Sequence, residues 1–247
     1  MHPTASSIAG RIAAVQAEIA GACERSGRSP DSVTLIAVSK THAAAQVVQA
    51  TEAGLQHFGE NRVEEALPKI ERVRQLTAAP VHWHMVGHVQ SRKARYVAGE
   101  FALVHSIDSL KLAERLGRYA AERRTIQDVL LEINVSGEAT KAGWDAYNWQ
   151  NNASLRGALW SEIAAVLAQP GLAVRGLMTM APIVAEMEQA RTVFAGLRTL
   201  RDALANDFPV AEWSALSMGM TDDYPVAVEE GATMVRIGRA IFGPRPA

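Results

Sequence analysis

The sequence predicts a single (β/α)8 barrel with one extra helix at its N-terminus. Short apolar runs rich in β-branched residues alternate with amphipathic stretches, a pattern typical of parallel βαβ units. Eight such runs occur within 247 residues, a length that one barrel commonly occupies. The candidate strands are residues 33–38, 55–58, 81–86, 103–107, 129–135, 174–180, 215–218 and 234–237. We therefore predict one domain over residues 1–247.

An open, doubly wound sheet is the alternative, and counting strands alone does not exclude it. No G-x-G-x-x-G follows the first strand, so the dinucleotide cradle usual in such sheets is missing. No Pro/Gly/Ser-rich linker divides the chain. The closed barrel is therefore the better-supported prediction.

Helical periodicity places helices between these strands. The N-terminal stretch is helical rather than a secretion signal, because Arg11 and Glu18 interrupt it and its apolar residues recur at helical spacing. Pro68 predicts a helix that is kinked or that begins near it. Residues 136–152 are polar and predict a long loop after the fifth strand, on the face where barrel enzymes keep their sites.

The composition gives no reason to expect a strongly charged partner. The formal net charge is -1 and the isoelectric point about 6.7, which argues against nucleic acid and anionic membranes. No segment approaches the ~18 apolar residues of a membrane span. Cys23 is the only cysteine, which rules out an internal disulfide or a thiolate zinc cluster and fits a reducing compartment. We expect a soluble, cytoplasmic protein.

Lys40 is the first candidate for chemistry. It follows the apolar run 35–38 and Ser39. This position places Lys40 at the carboxyl rim of a barrel with the stem of its side chain desolvated. Desolvation disfavours the ammonium and frees the amine to attack a carbonyl, as a Schiff base requires. Taken alone, a lysine at a strand end is more often one that extends its amine to solvent.

A second candidate lies at the ends of the last two strands. Barrels commonly bind phosphate with the loops after strands seven and eight. Ser217 offers a hydroxyl there, Gly219 and Gly238 allow a close backbone approach, and Gly238 and Arg239 offer free amides. Strand one neighbours strand eight in a closed barrel. An aldehyde for Lys40 and a phosphate for these loops together describe pyridoxal 5′-phosphate (PLP).

Eight ordered segments then carry a resemblance to a known family. The chain resembles the pyridoxal phosphate homeostasis proteins, whose barrel is similar to the PLP-binding (fold-type III) domain of alanine racemase. The segments are 35–41 (LIAVSKT), 58–65 (FGENRVEE), 83–93 (WHMVGHVQSRK), 104–109 (VHSIDS), 133–141 (INVSGEATK), 176–182 (GLMTMAP), 216–223 (LSMGMTDD) and 235–243 (VRIGRAIFG).

The resemblance implies roles for six cofactor-binding residues. Lys40 would hold PLP as a Schiff base, and Asn61 would lie beside the cofactor ring. Ser217 would bind the phosphate, helped by the backbone at Gly238 and Arg239. Arg236 would face the pyridine nitrogen. A guanidinium stays protonated and can only donate, so the ring would be a weaker electron sink. The alternative role for Arg236 is a salt bridge inside the barrel.

Three functions stay open at this point. The resemblance implies a PLP-binding protein without a dedicated substrate, which buffers or delivers the cofactor to apo-enzymes and so affects amino and keto acid balance. We expect no catalytic residue, no metal, and a monomer or weak dimer. Only seven residues follow Ala240, so we expect no second domain carrying a racemase acid. The alternatives are an amino acid racemase or decarboxylase, and a lysine Schiff-base aldolase acting on a sugar phosphate.

The histidines along the third candidate strand are interpreted more simply. His82, His84 and His88 stand at even spacing, but no neighbouring carboxylate or thiolate completes a metal site. We expect them to be satisfied polar groups near the barrel rim.

Overall fold

A computed structural model describes residues 7–244, and residues 1–6 and 245–247 lie outside the described part. Its strands are β1 (Thr34–Val38), β2 (His57–Glu60), β3 (His82–Met85), β4 (Leu103–Ile107), β5 (Gln127–Asn134), β6 (Trp144–Asp145), β7 (Leu172–Met178), β8 (Ala215–Ser217) and β9 (Met234–Ile237). All pairings are parallel, β1 joins both β2 and β9, and β4 also joins β5. The sheet therefore closes on itself, which confirms the (β/α)8 barrel and excludes the open sheet.

Helices cover the outside of this barrel. They are α1 (Ile8–Arg25), α2 (Ala44–Glu52), α3 (Val63–Leu76), α4 (Ala94–Val97), α5 (Leu110–Glu122), α6 (Ala153–Leu167), α7 (Arg191–Asp207), α8 (Tyr224–Glu229) and α9 (Arg239–Phe242). Short 3-10 helices span Pro30–Ser32, Ser91–Lys93, Trp149–Asn151 and Met187–Ala190. The extra N-terminal helix is α1, which buries Ile12, Val15 and Ile19 and packs on α8 and α9.

Apolar side chains fall into two layers, because successive residues of a strand face opposite sides of the sheet. A small cluster inside the barrel contains Leu103, Leu130, Met178 and Ala215. A much larger cluster lies between the sheet and the helices. Most buried apolar side chains therefore lie between the sheet and the helices, and the inside of the barrel has positions for polar residues.

Three local predictions need correction. The second strand is His57–Glu60 rather than 55–58, because its polar and glycine positions conceal its carboxyl half. Helix α3 begins at Val63 and contains Pro68, so it does not begin at the proline. The loop 136–152 is partly ordered into β6, which pairs with β5 through Ile133 and Trp144, and into a 3-10 turn.

Over residues 7–244, no helix combines the length and the apolar composition that crossing a bilayer requires.

Candidate functional site

Lys40 lies in a tight turn just beyond β1. The carbonyl of Ser39 accepts a hydrogen bond from the amide of His42 at 3.0 Å, so Lys40 and Thr41 are the two central residues of the turn. Ser39 is fully buried, whereas Lys40 is half-buried at the carboxyl end of the barrel. The predicted position of the lysine at the end of its strand is thus what the structure contains.

The turn lies against the start of α9. Ala37 pairs with Ile237, and a Cβ added to Gly238 would lie 3.3 Å from the carbonyl oxygen of Val38. The His42 ring stacks on Phe242 of α9, with ring centroids 5.0 Å apart. The structure therefore brings Gly238 and its neighbour Arg239 next to the segment that carries Lys40.

The first turn of α9 has the groups that an anion would use. The first amides of a helix have no acceptor within it and carry the positive end of the peptide dipoles. The Arg239 guanidinium points elsewhere, since its side chain is exposed and bonds to Asp222 at 2.5 Å. Arg239 could therefore contribute its backbone amide to a ligand here, while its charge is already paired at the surface.

Ser217 occupies a different position from Gly238 and Arg239. It lies inside the barrel with no exposed surface, and its hydroxyl oxygen is 2.6 Å from Arg236 Nη1 and 2.8 Å from His105 Nδ1. Its polar contacts are therefore made within the interior. The nearby Gly219 has φ of +92°, and a Cβ there would lie 2.6 Å from the Cβ of Ala227, so this turn after β8 requires glycine.

Arg236 is a buried cation with capacity for a further acceptor. It is 5% exposed, and Nη1 and Nη2 donate to Ser217 Oγ and to the carbonyl of Thr179, which engages two of its five N–H groups. Burial lowers its pKa to about 10, against the opposing effect of Glu132 and Asp223, so it stays protonated at neutral pH. None of the ion pairs found among residues 7–244 involves Arg236, which removes the salt-bridge alternative for that range. A ring nitrogen that accepts a hydrogen bond fits this guanidinium.

Three hydrogen-bonded histidines, His57, His84 and His105, form a row across the barrel interior that ends at Ser217. We call this row the histidine file. His57 Nδ1 lies 2.9 Å from His84 Nε2, and His84 Nδ1 lies 2.9 Å from His105 Nε2. Burial lowers the pKa of His84 to about 3 and that of His105 well below its usual value, so both are neutral at pH 7. Neutral imidazoles can each donate and accept, which suits a continuous chain.

The sequence interpretation found only part of this file. His84 lies in the interior rather than near the rim, His82 is exposed at the amino end of β3, and His88 pairs with Asp108 at 2.8 Å. His57 and His105 were missed. Their presence on the strands that flank β3 is a signal that a comparison across neighbouring strands could have found.

Glu132 is a further interior residue that the sequence interpretation missed. It lies on β5, is 3% exposed, and has a pKa raised to about 7 by burial and by Asp108, with Arg236 and His88 opposing the shift. A carboxylate within the apolar run 129–133 was the available signal. It makes the interior near Arg236 responsive to pH near neutrality.

Asn61 lies at the carboxyl end of the barrel, directly after β2. It follows β2 and lines a cavity of about 280 Å³ together with Met85, His88 and Lys93. Of the six predicted residues, only Asn61 lines this cavity. A Cβ on Gly87 would lie 2.4 Å from the carbonyl oxygen of Asn61, so the loops after β2 and β3 are packed closely together.

Another cavity, of about 440 Å³, opens at the amino end of the barrel and is lined by His57, His82, His84 and Arg175 among others. Within residues 7–244, no three His, Cys, Asp or Glu side chains are arranged to hold a metal ion.

Comparison with known proteins places this geometry in a family. The model of the alanine racemase N-terminal domain matches residues 12–246. A pyridoxal phosphate homeostasis protein of Pseudomonas aeruginosa is 42% identical over 240 residues, covering 97% of this chain and 96% of that protein. The protein of the same name from Aquifex aeolicus is 39% identical over 235 residues, covering 95% and 97%.

A solved structure with bound ligand is similar over nearly the whole chain. PipY of Synechococcus elongatus, with PLP bound, is 37% identical, superposes with a TM-score of 0.80, and covers 96% of this chain and 100% of its own. The chain belongs to the alanine racemase N-terminal domain family and, within it, to the pyridoxal phosphate homeostasis proteins.

Proposed function

We propose that this chain binds PLP and acts in PLP homeostasis, with Lys40 as the residue that holds the cofactor. PLP supplies an aldehyde that condenses with a primary amine. Lys40 Nζ is that amine, the amides of Gly238 and Arg239 bind the phosphate, and Arg236 donates to the ring nitrogen. Asn61 lies beside the ring, and Ser217, whose hydroxyl accepts a hydrogen bond from Arg236, contributes to the phosphate site.

One observation supports this proposal above the others. The end of β1 and the turn that carries Lys40 both pack on α9: Val38 lies against Gly238 at the start of the helix, and His42 stacks on Phe242 at its end. An amine and a set of helix-terminal amides therefore lie at the same end of adjacent strands, as a small aldehyde with an anionic tail requires. Arg236, whose guanidinium is buried, lies two residues before Gly238 on β9 and pairs with Ile36 of β1.

Buffering and delivery follow from what surrounds these groups. A donor that stays protonated at the ring nitrogen limits the electron-sink character on which carbanion chemistry depends. The protein is therefore a PLP carrier that consists of one barrel domain over residues 1–247. It works in the cytoplasm as a monomer or weak dimer. Its recipients are apo forms of PLP-dependent enzymes. The racemase, decarboxylase and aldolase alternatives are not favoured by the names of the relatives.

The lysine assignment is tested by labelling. PLP is added to the apo-protein, borohydride fixes any covalent linkage, and mass spectrometry locates the modified residue. We expect the label on Lys40 and the yellow colour lost in Lys40→Ala, with the far-UV spectrum unchanged because the side chain lies at a rim. Lys111→Ala, at an exposed position of α5, is the matched control. Colour that persists in Lys40→Ala would assign the cofactor to another lysine.

Delivery is tested with the same material. The PLP-loaded protein is mixed with an apo-aminotransferase, and recovery of activity is followed against an equal concentration of free PLP. We expect reactivation that survives the addition of a scavenger for free PLP. Reactivation abolished by the scavenger would leave binding intact and remove the delivery role.

A further inference from the structure

A buried ion pair lies directly behind the turn that carries Lys40. Lys69 Nζ of α3 is 2.7 Å from Glu60 Oε1, and the two side chains are 9% and 0% exposed. The same ammonium donates to the carbonyl of Ser39 at 2.7 Å. The Ser39 hydroxyl donates to Glu60 Oε1 at 2.6 Å. This set, Ser39–Glu60–Lys69, holds the residue immediately before Lys40.

The polar groups of Ser39 are all engaged. Its amide donates to the carbonyl of Gly59 at 2.9 Å, its hydroxyl donates to Glu60, and its carbonyl accepts from both Lys69 and His42. The residue before the lysine is therefore fixed to β2 and to α3 at once. Folded proteins contain about one hydrogen bond per residue on average, so Ser39, with four, is anchored more densely than most residues.

The turn itself is held against its own backbone preference. Thr41 has φ of +65°, in the left-handed region that β-branched residues avoid at a cost of roughly 1–3 kcal/mol. Such a conformation persists only where the surrounding structure imposes it. The contacts of Ser39 and the stacking of His42 on Phe242 are the contacts that border Thr41 on its two sides.

Stability alone does not explain the ion pair. Burying two charges costs several kcal/mol of desolvation, which their attraction offsets only when the remaining oxygens and protons are satisfied. Among residues 7–244, Glu60 Oε2 is the one buried side-chain nitrogen or oxygen atom that has no hydrogen-bond partner. A pair left partly unsatisfied suggests a role in geometry.

We propose that Glu60 and Lys69 are positioning residues that hold the Lys40 turn in one conformation, so that its amine meets the cofactor aldehyde without a conformational search. The inference rests on the proposed function. The condensation joins Lys40 Nζ to the aldehyde carbon and releases one water, and neither Glu60 nor Lys69 touches the reacting atoms. Their contribution is to keep the strained turn from relaxing.

The main test removes both charges together, because removing one would strand the other in the interior. In the double variant Glu60→Gln, Lys69→Met, we expect the Lys40–PLP absorption band to form roughly tenfold more slowly than in the wild type. Ser39→Ala, which removes only one hydroxyl, should slow it by a smaller factor in the same direction. Arg72→Met, on the exposed side of α3, is the matched control and should form the band at the wild-type rate.

Rescue separates positioning from a general loss of stability. Asn adopts the left-handed conformation more readily than Thr, so Thr41→Asn favours the turn without help from Lys69. Added to the double variant, it should restore most of the lost rate. Arg124→Asn relieves a comparable φ of +56° far from Lys40, and should raise thermal stability without restoring the rate.

The outcomes are distinguishable. If the wild type forms no linkage at Lys40, the proposed function fails. If the wild type forms it and the double variant is equally fast, only the positioning role fails. If Thr41→Asn gives no rescue, or Arg124→Asn rescues equally well, the effect is one of stability and the proposal is overturned. Should the double variant not fold, Ser39→Ala with and without Thr41→Asn decides by the same criteria.

Discussion

At the scale of single residues, the barrel interior combines a carboxyl group and a guanidinium with opposite responses to burial. Burial raises the pKa of Glu132 and lowers that of Arg236, and each opposes the shift of the other. Desolvation is the first cause in both, so the low-dielectric interior outweighs their mutual attraction. Arg236 remains charged at pH 7, whereas Glu132 is divided between its two protonation states.

Glu132 should make the apo-protein less stable as the pH rises. The folded chain keeps the proton up to about pH 7, whereas the unfolded chain releases it near 4.5, so the contribution of the group is lost between these values. We expect Glu132→Gln to be more stable than the wild type by roughly 1–3 kcal/mol at pH 8, and equal to it near pH 4.5. Urea unfolding at the two pH values measures this. Glu114→Gln, exposed on α5, is the control, and an equal gain at both pH values would contradict the assignment.

At the scale of elements, the site depends on the packing of α9 against β1. The contact has almost no spare room, since a Cβ at Gly238 would already lie 3.3 Å from the Val38 carbonyl oxygen. The backbone at Gly238 has φ of -111°, which any residue can adopt. The glycine is therefore required for its close approach and not for its conformation.

Gly238→Ala should weaken cofactor binding more than it weakens the fold. A methyl group pushes α9 away from β1 by a few tenths of an ångström, which displaces its first amides from the position of a phosphate held by the Lys40 turn. We expect PLP affinity to fall roughly tenfold, as displacements of catalytic and binding groups commonly cause. Equilibrium dialysis measures the affinity. Gly157→Ala is the matched control, because nothing lies within 4 Å of a Cβ at that exposed position of α6. Equal affinities would place the phosphate away from α9.

At the scale of the whole molecule, the sequence predicted what repeats along the chain and missed what depends on closure. Strand β4 was predicted with its observed bounds because the apolar residues Leu103, Val104 and Ile107 mark both of its ends. The sequence signal for strand β2 was weak, because His57, Gly59 and Glu60 do not fit the apolar pattern of a strand. The locations of Lys40 and Gly238 at strand ends were predictable from the sequence. Their roles stay predictions, as does that of Arg236, which the resemblance alone implies.

The interior network could not be predicted in the same way. The bonds among His57, His84 and His105 join three strands, and they follow from a register that only the folded sheet defines. Ser217 was assigned to phosphate because its strand position fits that role. That role stays a prediction, whereas the hydrogen bond between its hydroxyl and Arg236 inside the barrel could not be foreseen from the strand position.

That closed interior should make the whole protein sensitive to mild acid. The unfolded chain binds protons at His84 and His105 as the pH falls below about 6.5, whereas the folded chain keeps both neutral, with the pKa of His84 at about 3. The free energy of unfolding must therefore decrease as the pH is lowered, by about 1.4 kcal/mol per pH unit for each such histidine. Glu132 opposes this decrease by up to the same amount as one histidine. Urea titrations of the apo-protein between pH 6.5 and 5 measure the slope. In His84→Gln we expect the slope to decrease by about one proton, and in Glu132→Gln to become steeper. A slope near zero in both the wild type and Glu132→Gln would contradict this expectation. It would mean that the histidines take up protons in the folded protein, and that the barrel interior is far better solvated than its burial implies.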